Sequence, residues 1–256
     1  ESESEILLAD LKIATTQESS LSKSEIENSS SKESYKKVIQ KAIDTIESGS
    51  LDKVVLSRKE IHTLTDFNFV VVLQRLLNSY PSAFSYCFYH PNVGLWLGAF
   101  SEQLLKMEGA SFYTSAVAGT QVFEEKRSVI WQSKEKQEQE FVSDFIFDKI
   151  KEIASQIKIS APYTLKAGNL LHIKTDIQGI LNSDANLKQI VEILHPTPAV
   201  CGLPLDKAKE FINDYEGYDR EYYSGFLGEL NVDFNTKTSD TDLYVNLRCV
   251  KINLVP

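Results

Sequence analysis

Two ionisable side chains in this sequence lie in or next to segments typical of strands, where they have the chemistry of a base and an acid. Lys53 begins the apolar segment Lys53–Arg58, in which side-chain alternation sets it on the face opposite Val54. A lysine that faces a desolvated cavity has the lowered pKa that a general base needs, although lysines are also common on edge strands. Glu102 ends the segment Gly98–Glu102, and a carboxylate there is either a surface turn residue or a proton donor.

Glu138 is a candidate ligand for a hard divalent cation. It precedes Phe141, Val142 and Phe145 by three, four and seven positions, so it continues the apolar stripe of a predicted helix towards the start of that helix. A carboxylate on a buried helix face needs a partner, and a divalent cation is a suitable one. The other charged residues nearby are typical of a solvated helix face.

Two further segments combine small residues with a restricted backbone. Ala116–Thr120 ends a predicted strand in a turn whose backbone N–H groups can receive a carboxylate, because Gly119 lets a ligand approach. Leu194–Gly202 contains two prolines, which fix φ at their own positions and extend the residues before them. The second segment therefore predicts a stiff loop with room for something to approach its backbone.

The sequence Leu-His-Pro-Thr-Pro-Ala at 194–199 resembles a signature of the chorismate-utilising enzymes, the group of isochorismate, salicylate, anthranilate and aminodeoxychorismate synthases. Further segments resemble the same family in the same order, and the resemblance runs from about Tyr35 to Ile252. It implies that Lys53 is the general base. Water-using isochorismate and salicylate synthases resemble this chain in having lysine there, whereas anthranilate synthases have glutamine, so Lys53 indicates water as the nucleophile.

The resemblance also implies roles for the other candidates. Glu102 would be the general acid that protonates the departing ring hydroxyl, with Phe100-Ser101 in place of the family's usual Ser-Pro. Glu138 would bind Mg²⁺, and Gln139 replaces the histidine that usually follows it. The resemblance further implies five substrate-binding positions: Gly119, Thr120, His172, Ala199 and Arg248. Of these, Arg248 would bind the pyruvyl carboxylate, for which the bidentate fork of arginine is suited.

Two more positions bear on which member of the family this chain resembles. Ala118 stands where one major type of aminodeoxychorismate synthase has a nucleophilic lysine, which argues against that activity. The motif in Glu216–Gly225 also fits the family and is expected to shape the pocket wall.

Apolar periodicity predicts helices at about residues 34–47, 66–79, 133–157, 184–194 and 205–215. Strands are predicted at about 53–58, 84–89, 95–99, 103–108, 111–117, 170–174, 224–231 and 242–252. Blocks of strands alternate with blocks of helices, which favours a layered α/β domain over a regular βαβ series. With the family resemblance, the expected fold class is α+β: a layered sandwich of large, mainly antiparallel mixed sheets with helices outside.

The expected domain organisation is an N-terminal remnant or linker at 1–34 and a chorismate-binding catalytic domain at 35–256. The resemblance implies a further glycine-rich segment and a helix with a second Mg²⁺-binding glutamate, which would follow Pro256. The domain at 35–256 is therefore expected to lack its C-terminal segment.

Composition narrows the class of protein. A net charge of −9 argues against a nucleic-acid partner, and no apolar run is long enough to span a membrane. Three widely spaced cysteines and an N-terminus without signal-peptide features predict reduced thiols in a cytoplasmic protein. We expect a monomer.

These residues together predict an isochorismate synthase that uses Mg²⁺ to convert chorismate to isochorismate in menaquinone or siderophore biosynthesis. Two alternatives remain open: a salicylate synthase, which adds pyruvate elimination on the same scaffold, and a catalytically inactive chorismate-binding protein.

Overall fold

An antiparallel sheet of seven strands is the largest element of the structure. The computed structural model describes residues 25–26, 32–63, 67–100, 102–125, 129–233 and 236–253. Nearly all of the predicted linker at 1–34 therefore lies outside the described residues. The helices in the described part are α1 (Lys32–Glu47), α2 (Phe69–Ser79), α3 (Ser133–Ile150), α4 (Leu187–Leu194) and α5 (Leu205–Tyr215). The strands there are β1 (Glu25–Ile26), β2 (Lys53–Val54), β3 (His62–Thr63), β4 (Phe84–His90), β5 (Gly94–Phe100), β6 (Gln103–Glu108), β7 (Ser111–Val122), β8 (Ala154–Ile159), β9 (Tyr163–Ala167), β10 (Leu170–Leu181), β11 (Gly202–Leu203), β12 (Phe226–Glu229), β13 (Thr241–Val245) and β14 (Cys249–Ile252).

The described residues divide into two compact units. One contains the sheet β14-β5-β4, the helix α2 and the small β1-β3 pair. The other contains the large sheet, in the order β12-β13-β6-β7-β10-β8 with β9 also paired to β10, together with α3, α4, α5 and the β2-β11 pair. The α+β class with large antiparallel sheets is confirmed.

The core of the second unit lies between the large sheet and α3. Alternate residues of β10 are buried, among them Ile173 and Ile177, as the period of two in a strand requires. Helix α3 contributes Val142, Ile146 and Ile150, at the spacing of one helix face. Each such buried aliphatic side chain contributes about 1.5–3 kcal/mol relative to an exposed one.

Helix α3 ends at Ile150, so the predicted helix to Ile157 is wrong in its last part. The following residues form β8, which pairs antiparallel with β10. Local spacing concealed this strand because Ile153 and Ile157 also continue a helical period of four residues. Pairing with a distant strand overrides that local pattern.

In the first unit, α2 begins at an N-cap: the Asn68 side chain accepts hydrogen bonds from the N–H groups of Val70 and Val71, at 3.0 and 3.3 Å. Strand β5 is almost wholly buried between β4 and β14. A Cβ atom at Gly98 would lie 2.5 Å from the Tyr86 ring and 2.8 Å from the Arg248 carbonyl oxygen, so only glycine fits there.

The single strand predicted over Asp242–Ile252 is two strands, β13 in the second unit and β14 in the first. The break follows from Asn246, which is buried and hydrogen-bonds to the turn before β12. Its N–H donates to the Gly225 carbonyl, its carbonyl accepts from the Ser224 N–H, and its side-chain amide donates to the Tyr222 carbonyl, each at 2.8 Å. These bonds replace the partner strand that a continuous strand would need.

The three cysteines form no disulfide with one another in the structure: Cys201 is buried, and Cys87 and Cys249 are partly buried. Burial raises the pKa of Cys87 and of Cys201, which keeps both protonated. In the described part of the chain no helix is both long and apolar enough to cross a membrane.

Candidate functional site

Strand β2, which carries Lys53, is held by the glycine-closed end of the Leu194–Gly202 segment. Its two residues pair antiparallel with β11, with Lys53 opposite Leu203. Gly202 has φ +143° and passes so close to β2 that a Cβ there would lie 2.2 Å from the Lys53 carbonyl oxygen. The two segments that sequence reasoning singled out separately are therefore joined through their backbones.

The Lys53 side chain forms an ion pair with Glu138. The Nζ atom lies 3.2 Å from Oε1 of Glu138, and the two side chains are 12% and 38% exposed. Nζ itself is buried and makes no hydrogen bond of good geometry among the described residues. The ammonium group thus keeps donors available to a bound ligand.

Gln139, next to Glu138, fixes the rotation of α3 against the sheet. Its buried amide donates a hydrogen bond to Oγ1 of Thr175 on β10, at 2.6 Å. Because successive residues on a helix point about 100° apart, burying Gln139 towards β10 turns Glu138 towards β2. Gln139, which donates this bond, stands where the family that the sequence resembles usually has histidine.

Gly119, Thr120 and His172 meet where β7 and β10 pair. Nδ1 of His172 lies 3.1 Å from the Gly119 carbonyl oxygen and 3.2 Å from Oγ1 of Thr120. A carbonyl oxygen only accepts, so Nδ1 donates to Gly119 and carries a proton. The register shifts between His172 and Ile173, so a β-bulge lies at this point.

The predicted turn at Ala116–Thr120 is wrong, because β7 continues to Val122 and Gly119 lies at the bulge inside the strand. This bulge packs on the first turn of α3. Gly119 has φ +70°, and a Cβ there would lie 3.0 Å from Cβ of Glu135, so the approach requires glycine. Glu135 precedes Glu138 by three residues and therefore lies on a neighbouring part of the same helix face. Lys53, Glu138 and the bulge at Gly119 are thus grouped around the N-terminal half of α3.

The rest of the Leu194–Gly202 segment is anchored by His195. Its Nε2 donates to the Ser224 carbonyl oxygen at 2.9 Å, and its ring makes an edge contact with Phe226. Burial lowers the pKa of His195, so the ring is neutral near pH 7. The peptide bond to Pro196 is cis. Ala199 packs against the hydrophobic core of the second unit, and its role in the ring pocket stays a prediction.

Glu102 and Arg248 are positioned through their backbones. Glu102 is half-buried at the start of β6, where its carbonyl accepts from the Val245 N–H at 2.9 Å. Arg248 precedes β14, and its carbonyl accepts from the Ala99 N–H at 3.1 Å. The two residues belong to different units, and their roles as general acid and carboxylate ligand stay predictions.

Sequence reasoning missed an ion pair between Arg220 and Glu216, which contacts the segment after Lys53. The spacing gave no signal, because residues 216–220 follow the end of α5 at Tyr215 and the helical rule for residues four apart does not apply to them. The motif containing them had been assigned only to the pocket wall.

A cavity of about 510 Å³ lies beside α3 and the segment that joins β8 to β9, and none of the predicted site residues lines it. Its lining includes Trp131, Lys136, Asp144 and Tyr163. The described part of the chain holds no group of three or more His, Cys, Asp or Glu side chains arranged to bind a metal ion. The role of Glu138 as an Mg²⁺ ligand therefore stays a prediction.

Comparison with known proteins places these features in a family. A family model described as "Chorismate binding enzyme" matches residues 2–254. The isochorismate synthase EntC of Escherichia coli K12 is 28% identical over 228 residues, which cover 85% of this chain and 57% of EntC. The isochorismate synthase MenF of the same organism is 28% identical over 233 residues, covering 87% of this chain and 52% of MenF. The chain thus spans about half the length of these relatives.

Solved structures share the fold. The structure of MenF, described as the menaquinone-specific isochorismate synthase of Escherichia coli, matches 96% of this chain and 60% of its own with a TM-score of 0.76 at 24% identity. Anthranilate synthase component I from Streptococcus pneumoniae matches 97% of this chain and 58% of its own with a TM-score of 0.78 at 20% identity. The predicted fold is confirmed, and it is common to proteins with different named reactions.

Proposed function

Because the chain belongs to the chorismate-binding enzyme family, we propose that it is an isochorismate synthase, an isomerase that adds water to chorismate and releases a ring hydroxyl. The observation that carries this proposal is the buried Nζ of Lys53, held 3.2 Å from Glu138 with donors to spare. The fold alone does not select the reaction, since an anthranilate synthase shares it. A lysine in this place favours water as the nucleophile.

In the proposed reaction Lys53 acts as general base. It takes a proton from water as the oxygen attacks the ring carbon beside the one that bears the carboxylate. The ring double bonds shift, and the carbon–oxygen bond two carbons further round breaks. Glu102 gives its proton to the departing hydroxyl, which leaves as water.

Chorismate carries two carboxylates, and the chain has a net charge of −9, so binding needs local positive charge or N–H donors. At the bulge in β7, Gly119 lies opposite no residue of β10, and we propose that the backbone N–H groups there receive one carboxylate. His172 is held against this bulge by its bond to the Gly119 carbonyl, so it sets the shape of that subsite.

We further propose that Glu138 contributes to an Mg²⁺ site. A single, partly exposed carboxylate fits the mode in which Mg²⁺ keeps several waters and is completed by oxygen atoms of the substrate. When bound, the ion would supply positive charge to the ring carboxylate. In the described structure Lys53 pairs with Glu138, so the base and the proposed metal ligand are electrostatically linked.

The test is to incubate the chain with chorismate, with and without Mg²⁺, and to separate the products by chromatography. We expect isochorismate without pyruvate, and loss of that product when EDTA is added. Salicylate together with pyruvate would favour a salicylate synthase instead. Chorismate binding without turnover would contradict the proposed activity and favour a binding protein.

A further inference from the structure

A second ion pair close to Lys53 is more deeply buried than the pair that Lys53 itself makes. Arg220 and Glu216 are four residues apart, and their side chains are only 14% and 1% exposed. Nε of Arg220 donates to Oε2 of Glu216 at 2.7 Å, and a second, shorter bond joins Arg220 to Oε1. The pair is therefore bidentate, which fixes the plane of the guanidinium group.

The remaining donors of Arg220 reach two backbone segments that are far apart in sequence. One terminal nitrogen donates to the Val55 carbonyl oxygen at 2.8 Å, and the other to the Val200 carbonyl oxygen at 2.9 Å. Val55 follows Lys53 by two residues, and Val200 lies in the Leu194–Gly202 segment. A single rigid side chain thus joins the backbone after Lys53 to the loop that pairs with β2.

Glu216 contacts the same backbone segment two residues further along, at Ser57. The Ser57 N–H donates to Oε1 of Glu216 at 2.7 Å, and the Ser57 hydroxyl lies 3.0 and 3.1 Å from the two carboxylate oxygens. The hydroxyl also lies 2.5 Å from the Tyr218 hydroxyl. Side chains therefore satisfy the Val55 carbonyl and the Ser57 N–H.

This arrangement explains why the strand predicted over Lys53–Arg58 has only two residues. Beyond Val54, the Val55 N–H still donates to the Cys201 carbonyl at 2.8 Å, but the next bonds go to Arg220 and Glu216. The segment after Lys53 is consequently held by a charged pair in place of a neighbouring strand.

We propose that Arg220, held by Glu216, is a positioning residue for Lys53: it fixes the backbone beside the base and so keeps Nζ at the place where water is activated. This inference rests on the proposed function. A buried ion pair is not by itself evidence of stability, because removing two charges from water offsets much of their attraction. Its contacts to Val55 and Val200 instead indicate a geometric role.

The first test is Arg220→Lys, which keeps a positive charge beside Glu216 but removes the fork that spans Val55 and Val200. We expect a folded protein whose kcat for isochorismate formation falls by about 10- to 100-fold, since small displacements of a catalytic group cost on that order. We expect KM for chorismate to change little, because the proposed substrate-binding bulge at Gly119 is left intact.

A second readout needs no activity. In Arg220→Lys, hydrogen exchange followed by mass spectrometry should be faster than in the wild type at the amides of Val55 and Ser57. Exchange in helix α3 should be unchanged. Ser57→Ala is the milder variant, because it removes only the hydroxyl contacts and keeps the charged pair. We expect it to lower kcat less than Arg220→Lys does, in the same direction.

The matched control is Lys188→Gln. Lys188 and Glu192 are also a basic and an acidic residue four positions apart, but both are exposed and touch no backbone of β2. We expect kcat, KM and hydrogen exchange near Lys53 to equal those of the wild type.

Two outcomes would overturn the inference, and a third would contradict the function on which it rests. One is a folded Arg220→Lys protein with wild-type kcat. Another is a fall in activity that matches a loss of folded protein, with exchange raised throughout the chain. A wild-type protein that makes no isochorismate would contradict the proposed function itself; faster exchange confined to residues 53–57 would then show that Arg220 fixes this segment without a catalytic consequence.

Discussion

The pairing of Lys53 with Glu138 places the proposed base beside the proposed metal ligand, with Nζ 3.2 Å from Oε1. A cation bound at Glu138 would compete with Lys53 for the same carboxylate oxygens. Binding of the metal would therefore change the contacts of the proposed base, so the two roles should be tested together.

Replacing Lys53 by glutamine should abolish hydration and leave chorismate binding largely intact. The amide cannot act as a base, and loss of a general base lowers rates by about 10²- to 10⁴-fold. Product formation is measured by chromatography and chorismate affinity by calorimetry. Lys158→Gln, a change at an exposed lysine on β8, serves as the control. Full activity of Lys53→Gln would contradict the assignment of the base.

Replacing Glu138 by glutamine should weaken Mg²⁺ binding by at least about tenfold, the scale seen when even an outer partner of a metal ligand is lost. The readout is the rise in melting temperature on adding Mg²⁺, which does not depend on turnover. Glu140→Gln, on the exposed face of the same helix, should keep the wild-type response. An unchanged Mg²⁺ response in Glu138→Gln would remove this residue from the metal site.

At the scale of secondary-structure elements, the local sequence predicted the helices and strands whose ends depend on residues within the element itself. Helix α5 was predicted at its observed limits, and so was strand β6. The predictions fail where a residue distant in sequence determines the structure. Strand β8 forms because it pairs with β10, and the strand predicted over 242–252 is broken at Asn246, which hydrogen-bonds to the turn at 222–225. The local spacing of apolar residues does not contain these contacts.

The same distinction applies to the site. The Lys53–Glu138 pair joins residues far apart in sequence, and only a family resemblance linked them before the structure did. The contacts of Arg220 were not predicted, because two of its four acceptor groups are backbone carbonyls, which carry no residue-specific signal.

Gly202→Ala tests the contact between β11 and β2. The new methyl group would lie 2.2 Å from the Lys53 carbonyl oxygen, at a φ of +143°. We expect a loss of about 1–3 kcal/mol from backbone strain and a similar loss from overpacking, measured as the free energy of unfolding in urea.

Gly168→Ala is the matched control for this change. Gly168 also has a positive φ, +63°, but nothing lies within 4 Å of its added Cβ. Its cost should be the backbone term alone, about 1–2 kcal/mol. Equal losses at the two glycines would show that the contact with Lys53 does not matter.

At the scale of the whole molecule, protonation links folding to pH through buried groups. Burial lowers the pKa of His195 below the 6.5 of a free histidine, so the unfolded chain binds a proton that the folded chain resists. For Asp176, burial alone would raise the pKa, but hydrogen bonds from Tyr113 and Lys174 outweigh it and lower the pKa. Both shifts make the native state less stable in acid.

We therefore expect the free energy of unfolding to be highest above about pH 6.5 and to fall as pH drops from there. A single histidine contributes a slope of up to about 1.4 kcal/mol per pH unit. His195→Asn should flatten the dependence between pH 7 and 5, as measured by urea unfolding at each pH. The exposed His90→Asn should keep the wild-type slope, and an equal slope in His195→Asn would contradict this assignment.

The bond from Arg220 to the Val55 carbonyl spans 165 positions of the chain. During synthesis, Lys53 leaves the ribosome long before Arg220, Glu216 or Gly202 is made. The segment after Lys53 is therefore synthesised before the residues that contact it in the folded protein. Contacts of such long range are made late, because loop closure must precede their gain. We therefore expect Lys53, the proposed base, to be fixed in place among the last steps of folding, and a nascent chain arrested before Arg220 lacks the side chain that holds the Val55 carbonyl.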